Sequence, residues 1–177
     1  MSIWWSLHLR REAASVPLAR RLLLGTMETA GVDPEISFEL AVALSEACAN
    51  AVEHGLNERT DAYRVTACID GDMCHIEVTD PGPGFPAATV SRAVRAGVTE
   101  SVAGPGGSPG GSGAGTGAGN GGGPPEGPPI AEDGRGLCLI ETLADHVRFH
   151  NRPNSGGAVV SFDKILKWRD DALLKAG

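Results

Sequence analysis

The chain contains no run of about 18 apolar residues, so nothing in it reads as a membrane-spanning helix. Its opening, MSIWWSLHLRRE, lacks the charged-then-apolar order of a secretory signal, and a cytoplasmic location is expected. Basic residues are too few for a nucleic-acid surface: 15 Lys and Arg stand against 22 Asp and Glu, a net charge of −7. No direct nucleic-acid or membrane partner is therefore expected. No CxxC spacing links Cys48, Cys68, Cys74 and Cys138, which argues against a thiolate metal site. Cys68 and Cys74 flank an expected hairpin turn, where they could face each other; reduced, buried thiols are the simpler expectation. The phosphate-loop pattern GxxxxGK[ST] is also missing.

What is present fits one domain with a proper core, 177 residues long. The apolar fraction, 41%, is diluted by one segment. Of the 26 residues from 104 to 129, 19 are Gly or Pro and none is a large apolar residue. Such a stretch cannot bury enough surface to offset its ordering entropy, so a disordered loop is expected there.

Around that loop the pattern alternates between two periods. IWWSLHL (residues 3–9) reads as a strand. SVPLARRLLLGTMETAG reads as a helix with Ser15 as its cap, Pro17 in its first turn and Gly31 as its stop; Leu18, Leu22, Met27 and Ala30 are roughly in helical register. A second helix is expected from Pro34 to about His54, capped by Asp33 and followed by Gly55, with Ile36, Leu40, Ala43, Leu44, Ala47 and Ala51 buried. YRVTACID and MCHIEVTD read as paired strands. A short helix-like piece spans 87–96. A helix opens near DGRGLCLIETLAD, and HVRFHN and GGAVVSFDKI close the domain as strands, before an amphipathic tail. The order β, α, α, β, β, loop, α, β, β predicts a two-layer α/β (α+β) sandwich, its mixed, mostly antiparallel sheet covered on one face by helices. A doubly wound sheet would need strict alternation.

Three polar islands interrupt these apolar patterns. In LSEACANAVEHG, Glu46 and Asn50 stand one helical turn apart, so a carboxylate and an amide converge on one spot. Such a pair suits activation of a hydroxyl and contact with a hard cation such as Mg2+; alone, it reads equally as a solvated face, and His54 reads as a helix-end residue. In VTDPGPGFP, a strand ends on Asp80, with Gly82 and Gly84 following. A strand-end aspartate can accept from an exocyclic amine, and the glycines admit a flat ring close to backbone. In DGRGLCLI, Gly134 and Gly136 precede a helix whose free N–H groups favour phosphate, with Arg135 adding charge.

Together and in this order, E-x-x-x-N, D-x-G-x-G and G-x-G-L resemble the N, G1 and G2 boxes of the GHKL ATPases with their Bergerat fold. LSEACANAVEHG and the small size are similar to the serine-protein kinases that act as bacterial anti-sigma factors. The resemblance spans about residues 3–164. It implies an ATP-binding domain over 1–164, with residues 85–133 as an ATP lid that includes the insertion 104–129, and a C-terminal tail over 165–177. It implies Glu46 as general base, Asn50 on Mg2+, Asp80 on the adenine amine, Gly82 and Gly84 shaping the base pocket, and Gly134, Arg135, Gly136 and Leu137 beside the phosphates. The implied reaction is phosphorylation of a serine on an anti-anti-sigma factor by ATP, with sigma-factor binding as a second activity and a homodimer as the working form. The alternative is a nucleotide-binding regulatory module that holds a partner without phosphorylating it. A sensor histidine kinase fragment is a third reading, but no phosphoacceptor helix pair is visible in front. Two departures stand out: the long lid insertion, and Ala158 where the family often has threonine.

Overall fold

Apolar residues at every second position set the strands, and at helical spacing set the helices. The computed structural model describes residues 2–54, 61–82, 84–85, 132–152, 156–170 and 172. Strand β1 (Ser2–Arg10) leads into α1 (Ser15–Ala30) and α2 (Pro34–His54). Strands β2 (Ala62–Asp70) and β3 (Met73–Asp80) form a hairpin through Gly71. Helix α3 (Glu132–Leu143), β4 (His146–Asn151) and β5 (Ala158–Ile165) follow. The expected element order holds among the described residues. The expected helix at 87–96, the Gly/Pro-rich stretch 104–129 and Gly55 lie outside them.

The five strands form one sheet in the order β1-β2-β3-β5-β4. Every strand pairing among the described residues is antiparallel, so the parallel component of the expected mixed sheet is not found there. Tyr63, Val65, Ala67 and Ile69 of β2 bury one face with Cys74, Ile76 and Val78 of β3 and Val160 and Phe162 of β5. The helices cover that face. On α2, Ile36, Leu40, Ala43, Leu44, Ala47 and Ala51 are all buried, as their spacing predicts. Each large side chain so buried contributes roughly 1.5–3 kcal/mol, against a few tenths for a surface pair on a helix. Burial therefore fixes the rotation of α2, and with it the direction of Glu46 and Asn50.

The helix ends follow local chemistry. Asp33 Oδ1 accepts the Glu35 N–H at 2.8 Å, so Asp33 caps α2. Gly31 ends α1 at φ 89°, its N–H shared between the Met27 and Glu28 carbonyls. Ser15 is not a cap. It is the first residue of α1, buried, and its hydroxyl lies 2.7 Å from that of Tyr63. The polar partner across the layers outweighs a cap that solvent could replace. The buried face of α1 is also rotated from the expectation: Ala19, Leu23, Met27 and Ala30 are buried, while Leu18 is 55% and Leu22 38% exposed. Ala19 is fully buried, and Leu18 and Leu22 line a groove with Ile3 of β1.

Cys68 and Cys74 do not face each other. Cys68 pairs with His75 and Cys74 with Ile69, which puts the two thiols on opposite faces of the sheet. After β5 the chain joins the fold rather than leaving it. Asp33 N–H donates to the Lys167 carbonyl, Arg169 N–H to Gly31, and Trp168 Nε1 to Asp72 Oδ1. No helix among the described residues is long and apolar enough to cross a membrane.

Candidate functional site

Helix α3 crosses α2 where Glu46 and Asn50 project, and Gly136 lies at the crossing. A Cβ on Gly136 would stand 2.8 Å from Glu46 Oε2 and 3.6 Å from both amide atoms of Asn50. The missing side chain is what lets the carboxylate and the amide lie against the backbone of α3. Asn50 Nδ2 is buried and has no hydrogen-bond partner among the described residues. A buried donor left so costs about 1–3 kcal/mol unless a further group satisfies it.

The glycines of the third island do not precede the helix. Helix α3 opens at Glu132, so Gly134 and Gly136 lie within its first two turns. The acidic pair Glu132 and Asp133 suits a helix start, which places the boundary earlier than the glycines suggest. In a helix that opens at Glu132, the backbone N–H groups of residues 132–134 are among those left without internal acceptors. Leu137 is buried in the core and anchors this end of α3. The side chains of Arg135 and His54 lie outside the described residues.

Asp80 ends β3 with its side chain turned inward, buried. Its Oδ1 accepts the Gly82 N–H at 3.1 Å and also pairs with Nη2 of Arg11. Arg11 follows β1, and both side chains are 8% exposed. Burial lowers the Arg11 pKa from its ordinary value, and the nearby Asp61 carboxylate opposes that shift. Sequence reasoning missed Arg11, since nothing local marks a partner 69 residues away. Ala158 lies directly opposite Asp80 in the sheet and brings no hydroxyl to that position.

Gly84 follows at φ 88°, a left-handed backbone that glycine adopts without cost. Its neighbour Phe85 is gripped by the side chain of Asn151. The Phe85 N–H donates to Asn151 Oδ1 at 2.7 Å, and Asn151 Nδ2 donates to the Phe85 carbonyl at 3.0 Å. The Phe85 ring meets Phe149 edge to face, centroids 5.9 Å apart. Asn151 was also missed: it is the last residue of β4, and its role appears only when β4 and the segment after β3 are adjacent. The structure thus brings the first and third islands into contact and ties the second to β1 and β4.

The histidine kinase-like ATPase domain family matches this chain over residues 9–164. The serine-protein kinase RsbW of Staphylococcus aureus is 27% identical over 157 residues, covering 88% of this chain and 82% of that protein. The solved structure of the RsbU and RsbW domains of Rv1364c from Mycobacterium tuberculosis superposes with a TM-score of 0.56 at 18% identity. That match covers 92% of this chain and 32% of the larger protein, and it shows a shared fold.

Proposed function

Because the chain belongs to the histidine kinase-like ATPase family, a nucleotide-binding fold, we propose that it is an ATP-dependent protein-serine kinase and anti-sigma factor. Its substrate would be a serine of an anti-anti-sigma factor, and its second partner a sigma factor. The single observation that carries the reading is the meeting of Glu46 and Asn50 against Gly136, with Asn50 Nδ2 buried and without a partner among the described residues. The likeness to the Staphylococcus aureus serine-protein kinase supports the reaction type.

In this reading Asp80 accepts from the adenine amine, while Gly82 and Gly84 leave room for the ring. The start of α3, with Gly134, Arg135, Gly136 and Leu137, lies beside the phosphates. Asn50 fits a Mg2+ contact through its side-chain oxygen, the phosphates supplying further oxygen ligands; the ion would neutralise charge on the transferring group. Glu46 takes the proton of the attacking serine hydroxyl. The serine oxygen bonds to the γ-phosphorus, the bond to the β–γ bridging oxygen breaks, and ADP leaves. Positioning carries most of the catalysis. Residues 85–133 act as the lid, and two copies of the chain pair through β1 and α1.

A nucleotide-binding module without kinase activity is the second reading; Glu46 held beside Asn50 favours the first. Transfer of label from γ-labelled ATP with Mg2+ to candidate anti-anti-sigma proteins tests the choice. The kinase transfers label and Glu46→Ala does not. Nucleotide binding without any transfer to any candidate would favour the binding module.

A further inference from the structure

Asp80 does not stand alone in its pocket. Both of its donors among the described residues converge on one oxygen: the Gly82 N–H and the Arg11 guanidinium each bond Oδ1. Oδ2 takes no donor among the described residues. The Arg11 side chain is itself 8% exposed, and its Nε is buried without a partner among the described residues. Among the described residues, the side-chain bond that Arg11 makes goes to the aspartate. Its backbone holds it there: the Arg11 N–H donates to the Asp61 carbonyl at 2.8 Å, and the turn closes through Glu12 N–H to the Arg10 carbonyl.

With Asp80 taken as the base contact proposed above, we propose that Arg11 is a positioning residue that sets purine selectivity, holding the Asp80 carboxylate charged and turned so that Oδ2 faces the base as a pure acceptor. A buried carboxylate without a cation nearby takes up a proton. The neutral acid carries an O–H and can donate to a 6-oxo purine as readily as it accepts from a 6-amino purine. A guanidinium remains charged throughout the working pH range. Arg11 therefore removes the donor form, and a 6-oxo purine meets only acceptors. Sites built around a specific hydrogen bond reject the analogue that lacks it far more strongly than apolar pockets do.

The test is equilibrium binding of ATP and of inosine triphosphate to the full chain with Mg2+ by calorimetry. The native protein prefers ATP. Arg11→Met narrows the ATP-to-inosine-triphosphate ratio by about tenfold or more, and Arg11→Lys, which keeps the charge, restores most of it. If Arg11→Met weakens both nucleotides equally, Arg11 only supports the fold and the proposal fails. Should Arg11→Met not fold by circular dichroism, Arg11→Gln and Arg11→Lys carry the test: the ratio falls in the first and holds in the second, and equal ratios overturn the proposal. Asp80→Asn separates the two readings. Native affinities for both nucleotides in Asp80→Asn would sink the base contact itself, whereas a changed Asp80→Asn with an unchanged ratio in Arg11→Met would sink only the role of Arg11.

Discussion

Gly136 leaves Glu46 room that no other residue would: an added Cβ would sit 2.8 Å from the carboxylate oxygen. The atom in the way is the far end of a flexible side chain, so the protein can yield by swinging Glu46 aside. Alanine is also favoured over glycine within a helix by about 1 kcal/mol. Gly136→Ala should therefore keep or raise the melting temperature while displacing Glu46. Phosphotransfer in Gly136→Ala should fall by about tenfold or more. Unfolding followed by circular dichroism and single-turnover label transfer measure the two effects separately. A variant that is destabilised, or fully active, contradicts the assignment.

The hydrogen bonds of Asn151 to both backbone groups of Phe85 hold the segment that follows Asp80. Asn151→Ala removes both, at roughly 0.5–1.5 kcal/mol each and less at an exposed position. The melting temperature should drop by only a few degrees, roughly 2–4 °C per kcal/mol in a domain of this size. ATP affinity should fall by about threefold to tenfold, because the base pocket loses a fixed wall. Asn151→Asp keeps the acceptor and loses the donor, and should fall between. Calorimetric titration with ATP checks the order; equal affinity in all three proteins would remove Asn151 from the site.

These two residues mark where the sequence stops being legible. The strands and helices were readable because burial imposes periods of two and about 3.6, and the predicted apolar positions of α2 from Ile36 to Ala51 are all buried. Glu46, Asn50 and Asp80 were readable only through the order of the three motifs, since alone the first two read equally as a solvated face of α2 and the third as an ordinary strand end. Arg11 and Asn151 were not, since each acts across the sheet on a segment far away in sequence. Ser15 misled for a related reason: serine before a helix signals a cap, but the partner that won, Tyr63, is 48 residues away. Leu18 and Leu22 misled because helical spacing alone does not say which of two apolar faces is inward, and Ala19 lies between them.

That second apolar face is where the proposed homodimer would form. β1 is an edge strand, and Leu18 and Leu22 of α1 stand beside Ile3 on an apolar groove. Trp4, on the other face of β1, is 66% exposed. An unprotected edge with apolar flanks invites a second copy of the same edge. Sedimentation velocity should give a dimer for the native chain and a monomer for Leu18→Glu with Leu22→Glu. Both positions are exposed, so the substituted monomer should keep a melting temperature within a few degrees of a native sample diluted below its dissociation constant. A native monomer at high concentration would refute the pairing.

Two buried thiols give the fold an alkaline limit. Burial pushes the Cys48 thiol from 9.0 up to about 12, with the hydrogen bond from Tyr63 pulling slightly the other way. Burial does the same to Cys74, also up to about 12, helped by the nearby Cys68 and Asp163. Between those values the unfolded chain has released protons that the folded chain still holds. Stability is therefore fully present below pH 9 and declines as pH rises toward 12. Each thiol contributes a slope of about 1.4 kcal/mol per pH unit in that window. Tyr63, raised from 10.0 by the same burial, adds to the decline at the upper end. Melting temperatures of the native chain should be flat from about pH 7 to 8.5 and fall steeply by about pH 10. Cys48→Ala with Cys74→Ala should cost about 1–3 kcal/mol at pH 7, because small cavities open in the core. The double variant should then lose less between pH 9 and 10 than the native chain does; parallel alkaline limbs in the two proteins would rule the thiols out.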